Sequence, residues 1–199
     1  MTQTPPALDG LKVGIALTGS FCNLHMAFTV IEALTDRGAS VQAILSYNVD
    51  RLDTRFHRAS DVKEILKALT GKNVIKELTE AEPVGPRNMF DVLVVLPATG
   101  NTVAKLANAI SDTPVLMAVK SHLRNKKPVV IALSTNDGLG NNGANIGRLM
   151  NMENVFFVPF AQDDPVHKEM SLVFKQDQVI DSLLAALDKK QLQPMVTTW

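Results

Sequence analysis

Four short polar clusters follow apolar runs in this chain: Thr18-Gly19-Ser20, Ser46, Thr99-Gly100-Asn101-Thr102 and Ser134-Thr135-Asn136-Asp137. Hydroxyls and amides at the end of a buried strand and the start of a helix suit an anion or polar cofactor. The first helical N–H groups lack intrahelical partners, and glycine lets the backbone approach a phosphate. Each cluster alone also reads as a helix cap or a turn. Four of them on one edge of a parallel sheet point to a shared ligand site, since such folds bind ligands at the carboxyl ends of their strands. Residues 97–113 carry the signal most strongly: the apolar run 92–96 stops at Pro97, and helical spacing starts at once.

Other chemistries lack residues. His25, His57, His122 and His167 are scattered without metal-ligand spacing, so no metal site is expected and each histidine reads as a surface or packing residue. There is no Gly-x-Ser-x-Gly elbow, and the full Gly-x-Gly-x-x-Gly dinucleotide fingerprint is absent. Cys22 reads as a small buried thiol near the first loop. Met150 and Met152 read as helix packing. The glycine-rich stretch 138–143 suits a mobile lid and a plain turn equally well.

The elements that must position these clusters alternate. Strands are expected over 12–18, 41–45, 74–78, 91–96, 128–133 and 155–158. Helices are expected over 23–37, 61–69, 102–110, 115–123, 146–152 and 179–187, with Ser60 capping the second, Gly38 and Gly71 as stops, and Pro114 in a first turn. Strand–helix alternation predicts an α/β fold with a parallel sheet covered on both faces.

With 199 residues, 46% of them hydrophobic, the chain can bury one core, so a single domain over 1–199 is expected, with 1–10 as a flexible arm. Twenty basic and twenty acidic residues balance, which argues against nucleic acid as a partner. One cysteine fits a reducing compartment. The first ten residues lack the basic and apolar regions of a signal peptide, and no apolar run reaches the ~20 residues of a membrane span. A cytoplasmic protein without a membrane partner is expected.

Pro97-Ala98-Thr99-Gly100-Asn101-Thr102, continuing into Lys105-Leu106-Ala107-Asn108, resembles the Pro-Ala-Ser-Ala-Asn-Thr motif of the homo-oligomeric flavin-containing cysteine decarboxylases. The resemblance implies a three-layer Rossmann-like flavoprotein fold, with a six-stranded parallel sheet in the order 3-2-1-4-5-6. It also implies FMN lying against that motif, with its phosphate held by Thr18-Gly19-Ser20. The superfamily's Pro-x-Met-Asn motif falls on 133–136, where Asn136 alone matches. The decarboxylases' histidine is replaced by the neighbourhood Glu82-Pro83-Val84-Gly85-Pro86.

Further blocks are similar to a narrower family, the B subunits of dipicolinate synthase. They include Asp53-Thr54-Arg55-Phe56, Ser111-Asp112-Thr113-Pro114, Leu133-Ser134-Thr135-Asn136-Asp137 and Phe157-Val158-Pro159-Phe160-Ala161-Gln162-Asp163-Asp164-Pro165. This resemblance implies an oxidoreductase component making pyridine-2,6-dicarboxylate from a dihydrodipicolinate-level precursor of the lysine pathway. It would act with a nucleotide-binding A subunit, the route for NAD(P), in the mother cell of a sporulating bacterium, and as a homo-oligomer. The implied cofactor residues are Thr18, Gly19, Ser20, Ser46, Thr99, Gly100, Asn101, Thr102, Ser134 and Thr135. Asn101, Asn136 and Arg55 are the catalytic candidates, with Arg55 and the donors of Thr135 and Asn136 facing the substrate carboxylates. The alternatives are an FMN-dependent cysteine-type decarboxylase and a cofactor-binding scaffold that supports the A subunit.

Overall fold

A computed structural model describes residues 7–198. The apolar runs become strands because they can be buried on both faces. Strand β1 (Lys12–Leu17) leads through a 3-10 turn (Phe21–Asn23) into helix α1 (Leu24–Asp36), and β2 (Ser40–Leu45) leads into the short α2 (Tyr47–Arg51). Helices α3 (Ala59–Thr70) and α4 (Leu78–Ala81) precede β3 (Val92–Ala98). Then come α5 (Gly100–Ala107), α6 (Pro114–Arg124), β4 (Val129–Thr135) and α7 (Gly143–Met150). Short strands β5 (Val155–Phe157), β6 (Phe160–Ala161) and β7 (Leu172–Phe174) precede α8 (Val179–Leu187).

Alternate residues of each strand feed two cores. Val13, Ile15, Val94 and Val130 pack under α1, α3 and α8, whereas Ala16, Val95, Ile131 and Leu133 pack under α5, α6 and α7. That period of two yields three layers. The order β2-β1-β3-β4 is parallel, and β5 continues it on the amino-terminal half of β4. The expected order therefore holds, with two differences. The strand expected over 74–78 is one parallel bridge, Ile44 to Ile75, because Glu77 and Glu80 form a reciprocal capping box that starts α4. The sheet is also mixed: β7 runs antiparallel to Ser134 and Thr135 of β4, and β6 pairs with β7.

Several boundaries move for local reasons. Strand β3 runs through Pro97 to Ala98, with a register shift there because proline has no N–H for the ladder. Helix α3 starts at Ala59, whose N–H donates to Asp53 Oδ1 at 2.9 Å, so Asp53 caps it in place of Ser60. Pro114 opens α6 as expected, and Gly38 and Gly71 sit at positive φ just past α1 and α3. Of the arm expected over 1–10, residues 1–6 lie outside the described residues. Leu8 is buried, and its N–H donates to the Arg37 carbonyl at 2.7 Å.

The sheet's far margin is closed by the chain's last segment. Gln191 lies beside β5: the Phe157 N–H donates to its Oε1 at 2.8 Å, and its Nε2 donates to the Phe157 carbonyl at 2.7 Å. Further along, the Phe160 N–H donates to the Met195 carbonyl and the Thr197 N–H to the Phe160 carbonyl, each at 3.0 Å.

Candidate functional site

The carboxyl ends of β1, β2, β3 and β4 bring the four polar clusters to one edge. Thr18 is the buried hinge between two of them. Its hydroxyl donates to the Pro97 carbonyl at 2.6 Å and accepts from the Thr99 N–H at 3.0 Å. Thr99 in turn caps α5 by accepting from the Thr102 N–H. The first cluster is also joined to the fourth by Ser134, whose hydroxyl meets Ser20 Oγ at 2.7 Å and accepts from Asn23 Nδ2 at 2.8 Å.

Two adjoining cavities open between these tips. The smaller, about 220 Å³, lies among Thr18, Gly19, Ser46, Thr99, Asn101 and Thr102. Ser46, Thr99 and Thr113, which precede the first residues of α2, α5 and α6, all line it. Thr99 and Thr113 spend their hydroxyls on caps; Ser46 does not, and its Oγ is buried with no hydrogen-bond partner among the described residues. Three helix N-termini and an unspent hydroxyl favour an anion. Lys105 adds a cation to the wall, itself paired with Asp112 at 2.7 Å. This donor set fits a phosphate.

The larger cleft, about 520 Å³, continues past Gly19 and Thr99 to Ser20, Gly100, Ser134, Thr135 and Asn136. Cys22 is exposed and lines it, correcting the buried-thiol expectation: the 3-10 turn at Phe21–Asn23 rotates the thiol outward. Arg55 lies outside both linings; its guanidinium stacks over the Phe56 ring at 4.8 Å, and Phe56 lines the cleft. A larger hollow of about 680 Å³, beside Met150, Met152 and Met195, lies near the amino ends of β4 and β5, away from the polar tips. Met150 and Met152 are exposed there, so they do not pack the helix interior as expected; Leu149 does.

Sequence reasoning named Thr135 and Asp137 but missed the hydrogen-bonded cluster that they form with Asn142 behind the cleft. The Thr135 hydroxyl donates to Asp137 Oδ1, and Asn142 Nδ2 donates to Asp137 Oδ2 at 2.8 Å. Thr135 therefore does not present its proton to a substrate carboxylate in this arrangement, contrary to expectation. The stretch 138–143 is a hydrogen-bonded turn: Gly140 and Asn142 N–H groups donate to the Asp137 carbonyl at 3.0 and 3.2 Å. Close approach is required at Gly100, where a Cβ would come within 2.6 Å of both Thr135 Oγ1 and Asn142 Nδ2. At Gly19 a Cβ would meet Phe21 at an ordinary 3.5 Å. Asp163 and Lys168 also line the cleft, paired at 3.2 Å, with Ser171 donating to Asp163 at 2.6 Å. Asp137 was named in sequence as part of the fourth polar cluster, but its bonds to Thr135 and Asn142 were not foreseen; Thr113 of the small cavity was legible in the dipeptide Thr-Pro, a helix-start signal.

No histidine lines either cavity. His122 is buried on α6 beside Phe90, and Glu82–Val84 form a 3-10 turn where the decarboxylases have their histidine by resemblance. Among the described residues, no cluster of His, Cys, Asp and Glu could hold a metal ion, and no helix is long and apolar enough to cross a membrane.

The sequence model described as Flavoprotein matches residues 1–188. The dipicolinate synthase B subunit of Bacillus subtilis (strain 168) is 44% identical over 190 residues, covering 96% of this chain and 95% of that protein. The crystal structure of the dipicolinate synthase B subunit from Bacillus halodurans C matches with a TM-score of 0.88 and 41% identity, over 96% of this chain and 98% of that one. The FMN-dependent cysteine decarboxylase SpaF shares the fold, with a TM-score of 0.66 at 21% identity over 92% and 99% of the two chains.

Proposed function

This chain belongs to the flavoprotein family and is related along nearly its whole length to the B subunits of dipicolinate synthase, and from that premise we propose that it is the B subunit of such a synthase, carrying FMN at its strand tips. The observation that carries the reading is the small cavity, where three helix N-termini converge and Ser46 keeps a buried hydroxyl unspent. A phosphate there would take the Ser46 hydroxyl, the open N–H groups and Lys105.

Aromatising a dihydropyridine dicarboxylate removes a hydride and a proton, and bound FMN would supply the two-electron acceptor that side chains lack. The chain's own residues bind and orient. Asn101, in the first turn of α5, lines the small cavity, and Asn136 lines the large one. Arg55, stacked on Phe56 at the cleft's wall, is the fork for a substrate carboxylate. NAD(P) enters through the A subunit. The protein works as a homo-oligomer in the mother-cell cytoplasm of a spore former.

Two measurements test this. Titration into the purified protein should quench the fluorescence of FMN far more effectively than that of riboflavin, which has the ring system without the phosphate. Dipicolinate, followed by ultraviolet absorbance from enzymatically generated precursor, should form when the two proteins are mixed and not with either one alone. Full turnover by the A subunit on its own would leave this chain a scaffold. Carbon dioxide release from cysteine-terminated peptides would restore the decarboxylase reading.

A further inference from the structure

We propose that Thr135 and Asp137 are the proton-accepting pair of the aromatisation, with Thr135 facing the substrate and Asp137 acting through it. This rests on the reading of the chain as the B subunit.

Thr135 ends β4 and lines the larger cleft. Its hydroxyl hydrogen is directed at Asp137 Oδ1, and the Asp137 N–H approaches its oxygen at 3.5 Å. A hydroxyl committed in this way meets a ligand as an acceptor: it takes a proton or an N–H and repels a carboxylate. Asp137 is fixed from the other side by Asn142, a buried residue whose Oδ1 accepts from Asn145 Nδ2 at 3.0 Å. The turn that follows folds back on the Asp137 carbonyl, and each carboxylate oxygen has its own partner, Thr135 at Oδ1 and Asn142 at Oδ2. Gly100 presses α5 against the pair: a Cβ there would stand 2.6 Å from Thr135 Oγ1 and 2.7 Å from Asp137 Oδ1. The pair therefore sits against the first residue of the helix whose N-terminus borders both cavities.

The other carboxylate at the cleft is unsuited to the task. Burial pushes Asp163 up, but hydrogen bonds from Ser171 and Lys168 outweigh it and hold its carboxyl below the usual range. Its charge is already answered by the Lys168 ammonium at 3.2 Å. Asp137's partners are a hydroxyl and an amide.

The step balances. Bound flavin, or nicotinamide brought by the A subunit, would supply the two-electron oxidant that takes one ring hydrogen with its electron pair. A second leaves as a proton, and its bonding pair enters the ring to complete the aromatic system. That proton bonds to Thr135 Oγ1 as the Thr135 hydrogen passes to Asp137 Oδ1, and solvent later removes it from the carboxyl group. General-base assistance of this kind is worth on the order of 10²–10⁴ in rate.

The test uses the flavin-loaded protein mixed with the A subunit. Asp137→Asn and Thr135→Val should each lower kcat by on the order of 10²-fold, while Thr135→Ser keeps most of the rate. For Asp137→Asn, whose carboxylate lies behind the cleft and outside its lining, KM, the FMN titration and assembly of the two proteins should not change. A folded Asp137→Asn protein within about twofold of wild type, or an active Thr135→Val protein, would overturn the proposal. So would a loss of FMN affinity in step with the loss of kcat, which would mark a merely structural role. Should Asp137→Asn fail to fold, the near-isosteric Thr135→Val decides. Wild-type protein that forms no dipicolinate with the A subunit would overturn the underlying reading, and this proposal with it; wild-type turnover beside an active Asp137→Asn would overturn this proposal alone.

Discussion

Ser20 and Ser134, 114 positions apart in the chain, share a hydrogen bond of 2.7 Å between the loop after β1 and the end of β4. With Asn23 donating to the same Ser134 oxygen, this contact ties the first loop to the cleft's opposite wall. Replacing Ser134 by alanine strands two polar side chains in a part-buried site. A loss of about 1–2 kcal/mol in the urea unfolding free energy is expected, together with weaker FMN binding.

Ser46→Ala should separate stability from binding. Its hydroxyl is buried and unpartnered among the described residues, so removing it should leave the flavin-free protein unchanged or up to about 1 kcal/mol more stable. FMN affinity should fall about tenfold, the equivalent of one charge-assisted hydrogen bond, and riboflavin affinity should not change. Thermal unfolding and fluorescence titration read the two effects. Equal losses for both flavins would move the phosphate elsewhere.

Gly100→Ala and Gly19→Ala should diverge. Alanine is the better helix former by about 1 kcal/mol, yet at Gly100 its methyl would overlap Thr135, Asn142 and Asp137. Overpacking of that kind costs about 1–3 kcal/mol, so Gly100→Ala should unfold at lower urea. At Gly19 the methyl meets only ordinary contacts, and the fold should hold. Equal midpoints for the two variants would show that the cluster behind Gly100 gives way.

Acid should destabilise the protein through His122. Burial, with the charges of Lys127 and Lys189 adding to it, lowers its pKa from 6.5 to about 4, against the opposing bond to the Pro128 carbonyl. The folded state holds the ring neutral while the unfolded chain takes up a proton below about pH 6.5. Its contribution is therefore complete above that pH and is lost as pH falls towards 4, by up to about 3 kcal/mol. Unfolding free energies at pH 7 and pH 4.5 check this, and the curve for His122→Gln should be flatter.

The parallel strands were legible because runs such as 92–96 are apolar without alternation, as burial on both faces requires. Strands β6 and β7 were not, since two or three residues carry no period and their place is set by tertiary pairing, β7 with Ser134 and Thr135 and β6 with β7. Ile75 shows the converse: an apolar start to a strand, overruled when Glu77 and Glu80 capped a helix instead. The site followed the same divide. Hydroxyls at strand ends could be read directly, because the topology delivers every such end to one edge. Asp137 and Asn142 could not be, because their meaning depends on a turn folding back towards Gly100. Arg55 illustrates the limit for loops: its charge was visible in sequence, but its stacking on Phe56 was not.

Gln191 has a bearing on solubility as well as on architecture. Strand β5 would otherwise offer the free N–H and carbonyl of Phe157 to any extended chain that came alongside, the usual template for edge-to-edge aggregation. A side-chain amide satisfies both groups yet cannot propagate a ladder, since it carries no further backbone to recruit the next strand. Gln191 thus acts as a stop codon for β-sheet growth at Phe157, closing the edge of β5 with a side chain.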